Sequence, residues 1–217
     1  MRQIAAVLCI LTGLTGSGLA AELSFRGEPV QGGLVIGQTS PGTKISYAGR
    51  TVRVSPDGVF VIGFHRDDPP EMSLSATFPD GSTAIHGFTV RQRDYDIQRI
   101  DGLPPSKVSP PPDVIARIQE DSRQVREARS IDSDTTYFTG TFIWPAKGRI
   151  SGVYGSQRVL NGEPRQPHYG VDIAAPTGTP VIAPAAGRIT LAHPDMYFSG
   201  ATLMIDHGHG VQSAFLH

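Results

Sequence analysis

Short apolar runs separated by turn residues recur along the first hundred positions. Leu34-Val35-Ile36, Lys44-Ile45-Ser46-Tyr47, Thr51-Val52-Arg53-Val54, Val59-Phe60-Val61-Ile62 and Gly87-Phe88-Thr89-Val90 are β-prone. Pro41-Gly42, Pro56-Asp57-Gly58 and Pro79-Asp80-Gly81 mark turns between them. Partial alternation with frequent turns predicts a small β-sandwich, immunoglobulin-like, over residues 22–100. Its histidines, His65 and His86, lie near turns and are expected to be solvated. Leu103-Pro104-Pro105 and Pro110-Pro111-Pro112 then predict a stiff, extended connector. Asp113 is expected to cap a helix running to about Arg129, with Val114, Ile118 and Val125 as a thin apolar stripe and Arg123, Arg126 and Arg129 as a basic side. The pattern favours a spacer helix with a solvated face across 101–138, over a helix packed on the next domain. From Thr139 the β pattern returns in Arg149-Ile150-Ser151-Gly152-Val153-Tyr154, Gly187-Arg188-Ile189-Thr190-Leu191-Ala192, Thr202-Leu203-Met204-Ile205 and Val211-Gln212-Ser213-Ala214-Phe215. The chain is thus expected to be mainly β, with a second β domain over 139–217.

The N-terminus breaks this pattern. Arg2 precedes an apolar run from Ile4 to Leu14, and small residues follow at Ser17, Gly18, Ala20 and Ala21. Charge, apolar core and small-residue cleavage site, in that order, predict a secretory signal over 1–21. The run is shorter than the ~20 residues that span a bilayer, so no stable membrane insertion is expected after cleavage. The expected location is periplasmic or secreted, in the cell envelope. Cys9 is the chain's one cysteine and falls inside the signal, so the mature chain would have neither disulfide nor thiolate chemistry.

Composition narrows the function classes. A formal net charge of −1 over 217 residues gives no basic excess for nucleic acid and no acidic tail. The 25 glycines and 18 prolines suit short strands and turns better than a helical bundle. Chemistry must come from histidines, carboxylates, hydroxyls or a metal.

His168 and Asp172, in Pro167-His168-Tyr169-Gly170-Val171-Asp172-Ile173, are the most informative candidates. Pro167, Gly170, Val171 and Pro176 resist a helix there. On a straight strand the two side chains would stand about 13 Å apart, too far to share one ion. They can converge only if the chain bends, and Gly170 permits a bend. The spacing by itself fits half of a zinc site or an ordinary His–Asp hydrogen bond. His207-Gly208-His209 is a His-x-His, but its glycines give it the composition of a hairpin turn, and His193 before Pro194-Asp195 reads as a loop histidine.

Neighbouring segments add a resemblance. Phe142-Ile143-Trp144-Pro145-Ala146, Gly148-Arg149-Ile150-Ser151-Gly152-Val153-Tyr154-Gly155, His168-Tyr169-Gly170-Val171-Asp172, Pro176-Thr177-Gly178-Thr179-Pro180-Val181, Ala183-Pro184-Ala185-Ala186-Gly187-Arg188-Ile189, Ile205-Asp206-His207-Gly208-His209-Gly210 and Phe215-Leu216-His217 occur in one order and spacing. Together they resemble the lysostaphin-type (LytM) zinc endopeptidases, which cut peptide bonds of bacterial peptidoglycan. The resemblance implies a partial antiparallel LytM-type β-sheet over 139–217, with Zn2+ as cofactor and peptidoglycan stem peptides as substrate. It implies that His168 and Asp172 are zinc ligands and that His217 is a catalytic histidine that positions water or supports the transition state. The family's later His-x-His, which carries the third ligand and the general base, is expected beyond His217, so the chain as written is expected to be inactive. His207 and His209 would instead be turn residues away from the metal. The alternatives are a non-catalytic LytM-type activator, with a cell-wall amidase as partner, and an inactive fragment lacking the third ligand.

Overall fold

The computed structural model describes residues 23–102 and 110–217. The expected signal segment and the first proline run, Leu103-Pro104-Pro105, lie outside the described residues. No described helix is long and apolar enough to cross a membrane.

Seven strands form the first half: β1 (Ser24–Arg26), β2 (Leu34–Gln38), β3 (Lys44–Tyr47), β4 (Arg50–Val52), β5 (Val59–Gly63), β6 (Glu71–Thr77) and β7 (Thr83–Thr89). They make two antiparallel sheets, ordered β1-β2-β5 and β4-β3-β6-β7. Alternate residues face inward because side chains on a strand have period two. Val35, Phe60 and Ile62 from one sheet therefore meet Ile45, Tyr47, Leu74, Ala76 and Phe88 from the other. Edge-to-face ring pairs tie the layers, among them Phe25–Phe88 at 5.0 Å and Phe64–Phe88 at 5.5 Å. Burial raises the Tyr47 hydroxyl pKa to about 12. This is the expected sandwich. β6 carries few β-branched or aromatic residues, but Met72, Leu74 and Ala76 alternate with exposed Glu71, Ser73, Ser75 and Thr77. His86 is half-buried rather than fully solvated: its ring centre lies 4.3 Å from that of Phe25 and 4.7 Å from that of Phe88.

β8 (Ile97–Ile100) leaves the sandwich and pairs with a strand of the second half. A 3₁₀ turn at Pro112–Val114 leads into α1 (Ile115–Arg129). Asp113 makes no capping hydrogen bond; it lies inside the turn, with Pro112 supplying the fixed φ of a helix start. The helix is also more than a solvated spacer. Ile118, Val125 and Ala128 turn inward, and Arg117 donates to Asp195 Oδ2 (2.8 Å) and to the Asp195 carbonyl. Asp121 accepts from the Tyr197 amide at 2.7 Å. Its outer side is exposed, where Arg123 bridges Glu120 and Glu127.

The second half holds β9 (Arg149–Gly152), β10 (Gln157–Leu160), β11 (Glu163–Pro164), β12 (Asp172–Ala174), β13 (Arg188–Met196), β14 (Gly200–Gly208) and β15 (Val211–Leu216). β13-β14-β15 is an antiparallel sheet, β9 pairs antiparallel with β12, and β10 lies between β11 and β8, parallel to β8. The central strand β14 is the most buried, with Thr202, Met204, Ile205, Asp206 and His207 enclosed. Asp206 is satisfied by Ser133 Oγ at 2.5 Å and the Gly208 amide at 3.0 Å.

Candidate metal centre

Strand pairing builds the His168–Asp172 pair. In β9–β12, Asp172 stands opposite Gly152, with a register irregularity immediately after Asp172. Opposite residues on antiparallel strands share a face. Gly152 presents no side chain, so the Asp172 carboxylate folds over it; a Cβ at Gly152 would overlap Asp172 Oδ2. A bulge of this kind re-aims a side chain without ending the sheet.

The His168 segment is held by backbone bonds to the turn that follows β9. The His168 amide donates to Ser156 O (2.8 Å), and the Gly155 amide donates to His168 O (2.7 Å). His168 Nδ1 lies 3.2 Å from Val153 O. A carbonyl can only accept, so a hydrogen bond there places a proton on Nδ1 and leaves Nε2 to face Asp172. Nε2 stands 3.3 Å from Asp172 Oδ1. The chain bends at Gly170 as the sequence requires, bringing together groups that a straight strand would hold far apart.

That separation admits two uses. A protonated imidazole would make a partly exposed ion pair. Alternatively, both atoms point at a shared ion. With zinc–ligand distances of ~2.0–2.1 Å, two corners of a tetrahedron stand about 3.3–3.4 Å apart. The observed spacing matches this edge, and the Val153 carbonyl supplies the partner that zinc-binding histidines require on the other ring nitrogen. Imidazole and carboxylate are zinc-type donors, so these two residues fit the metal. Among the described residues, no third histidine, cysteine or carboxylate completes a ligand group with them.

His217 follows β15. Its amide donates to Ser199 O and Ala201 O, both at 3.0 Å, and its carbonyl accepts from the Ala201 amide at 3.1 Å. These bonds fix the backbone while the residue stays exposed. His168, Asp172 and His217 all line one open cleft of about 2040 Å3.

His193 lines this cleft too. It is a strand residue of β13, opposite Thr202, rather than a loop histidine. Its Nδ1 accepts from the Asp195 amide at 3.1 Å. The bulge that follows puts Pro194-Asp195 within the strand, which conceals it from a reading of turn residues. His207 and His209 also part company. His207 is not a turn residue: it is fully buried in β14, its Nδ1 against Ala186 O (2.6 Å) and its Nε2 against Ser213 Oγ (2.8 Å). His209 is a turn residue; with Gly210 it forms the two-residue loop from β14 to β15, φ +50° and +77°. Positive φ at both positions is the type I′ pattern. Neither histidine lines the cleft.

His209 carries a pH signature of its own. Its ring packs 5.0 Å from Phe138, and both ring nitrogens are enclosed without a hydrogen-bond partner among the described residues. Burial, followed by the field of Arg53, lowers its pKa below the usual 6.5. The unfolded chain therefore binds the proton more readily. The stabilisation is whole above about pH 6.5 and is lost as pH falls through that value toward the folded-state pKa. Thermal unfolding at pH 8 and pH 5.5 should show a smaller difference in His209→Asn, since Asn tolerates the positive φ. An unchanged difference would remove His209 as a source of acid sensitivity.

The first half of the chain backs the site. Arg66 is buried; its Nε donates to Gly155 O at 2.8 Å, its Nη1 pairs with Asp67 at 2.6 Å, and its guanidinium lies 4.3 Å from the Tyr95 ring centre. Gly155 has φ +87°, and a Cβ there would overlap the Tyr95 ring. Tyr154 packs edge-on or tilted between Tyr95 and Tyr169, with ring centres 6.4 and 6.1 Å away, and the His65 ring lies 5.9 Å from Tyr169. No sequence signal singles out Arg66, because its partner is a carbonyl 89 residues away.

Gly152→Ala tests the local geometry. The added methyl displaces the Asp172 carboxylate, so zinc affinity should fall about 10–100-fold, as for other supports of metal ligands. Competition against a chromophoric chelator measures this, while the melting temperature should hardly move because the site is exposed. Unchanged affinity would show that Asp172 reaches the metal by another path.

Part of the chain is similar to known proteins. Residues 166–217 match Peptidase family M23. The chain is 31% identical over 110 residues to the cell division protein DipM of Caulobacter vibrioides, a match covering 51% of this chain and 17% of DipM. A crystal structure described as a peptidase M23 from Pseudomonas aeruginosa is 26% identical, with a TM-score of 0.61 over 88% of this chain and 74% of that one.

Proposed function

We propose, for a chain whose residues 166–217 match Peptidase family M23, a zinc-dependent endopeptidase acting on the peptide crosslinks of peptidoglycan. The observation that carries this reading is the 3.3 Å between His168 Nε2 and Asp172 Oδ1, with His168 Nδ1 against Val153 O. His168 and Asp172 would hold the metal. Zinc bound there would supply Lewis acidity toward a scissile carbonyl and toward water. The protein's own contribution is positional. The Val153 carbonyl holds the His168 tautomer, Gly152 leaves room for the carboxylate, and the fixed backbone of His217 presents an imidazole to the same cleft. There His217 can hold a proton on attacking water or donate to the developing oxyanion. The setting would be the cell envelope, periplasmic or secreted. The expected signal and the DipM relative, a cell division protein, support that setting.

The test is peptide release. The full-length protein, encoded through any continuation past His217, is incubated with purified peptidoglycan with zinc and with chelator. New amino termini should appear only with zinc. A zinc-loaded protein that releases none fails the peptidase reading. Stimulation of a cell-wall amidase by that same inactive protein would favour the activator reading.

A further inference from the structure

We propose that Arg158 and Arg165 form a carboxylate-binding subsite that holds an acidic peptide in the cleft of His168 and Asp172; the assignment rests on the peptide-substrate reading above. β10 and β11 pair Val159 with Pro164 and Leu160 with Glu163, and the Arg165 amide donates to Arg158 O at 2.8 Å. The register therefore sets Arg158 directly opposite Arg165, on one face of the ribbon. Like charges so placed destabilise a sheet. Nothing among the described residues offsets this, since neither guanidinium has a carboxylate within ion-pair distance. Arg165 Nε is moreover enclosed and has no hydrogen-bond partner among the described residues. A buried donor without an acceptor is costly.

The pair is nevertheless rigidly built. Gln157 Nε2 donates to Arg165 O at 2.7 Å, and β10 is anchored on its other side by β8. Both arginines line the cleft, and Arg165 precedes His168 by three residues. Asp96 lines it as well, but its carboxylate accepts from Gln98 Nε2 at 3.2 Å and not from either arginine. Two arginines that line an open groove without a carboxylate partner fit a carboxylate ligand, whose oxygens accept paired N–H donors. A carboxylate seated there would offset the repulsion and fix where a substrate backbone passes the metal pair.

Equilibrium binding separates this subsite from catalysis. Two synthetic stem peptides are compared, one with free side-chain carboxylates and one with carboxamides in their place. Binding is read by calorimetry on the full-length protein, with chelator present so that hydrolysis does not enter. The wild type should prefer the carboxylate peptide about tenfold or more, the range of a charged hydrogen bond. Arg158→Gln and Arg165→Gln should each lose most of that preference, with carboxamide binding unchanged and the melting temperature not lowered, since each removes one of two like charges. Equal wild-type affinity for the two peptides overturns the proposal, as does a preference that survives in the double variant. Absence of peptide release from peptidoglycan would sink the peptidase reading and leave this preference readable.

Discussion

Asp172→Ala is expected to leave a folded protein that no longer retains zinc and no longer cuts. The Asp172 side chain is 63% exposed, so little packing goes with it. What is lost is one of two donors whose spacing matches the edge of a zinc tetrahedron. His168→Ala should do the same, and also release the Val153 carbonyl. Activity in each should fall by more than the about 10–100-fold typical of residues that only support a ligand. His217→Ala should differ in kind, keeping zinc while losing turnover. Metal analysis after dialysis, run beside a peptide-release assay, distinguishes the two behaviours. Full zinc in Asp172→Ala, or zinc lost in His217→Ala, would reverse the roles assigned here. His207→Ala should lower stability, because it leaves a cavity in β14 and orphans Ser213 Oγ on β15.

Arg66→Ala should lower stability by roughly 2–3 kcal/mol and weaken zinc binding together. The first effect follows from a lost charged hydrogen bond, a buried Gly155 carbonyl without its donor, and lost packing on Tyr95. The second follows from connection. Arg66 holds Gly155 O, and the Gly155 amide holds His168 O. Slack in that turn reaches the imidazole through one residue. Arg66→Lys restores charge but not the planar fork, so it should recover part of the stability and little of the zinc affinity. Denaturant unfolding and chelator competition read the two quantities. A destabilised Arg66→Ala protein with wild-type zinc affinity would mean that the β-sandwich carries the site without tuning it.

The sandwich was legible because local signals agreed with one another. Turn residues fell between alternating runs, and the runs at Leu34, Lys44 and Val59 became strands β2, β3 and β5. β6 was less visible, since Met72, Leu74 and Ala76 carry its inward face without β-branched residues. α1 was placed correctly in sequence but not in space. Its thin stripe suggested a solvated helix, whereas Arg117 and Asp121 fasten it to β13 and the segment just after it through polar contacts that no hydrophobic pattern records.

The chain by itself determined a bend between His168 and Asp172, since proline and glycine forbid a helix there and a straight strand separates the groups. It also determined the hairpin at His209-Gly210, because glycines flanking a histidine answer to positive φ. Tertiary structure alone decided what the bend accomplishes. Asp172 reaches His168 because Gly152, on another strand, has no side chain, and His168 has a defined tautomer because the Val153 carbonyl lies beside it. It alone put His207 in the core, His193 in the cleft and Arg66 behind the His168–Asp172 pair. Local propensity and spacing act over a few residues of one chain segment. Ligand geometry, tautomer and burial are set by atoms brought close by strand pairing, between segments that the sequence holds 20 to 90 residues apart.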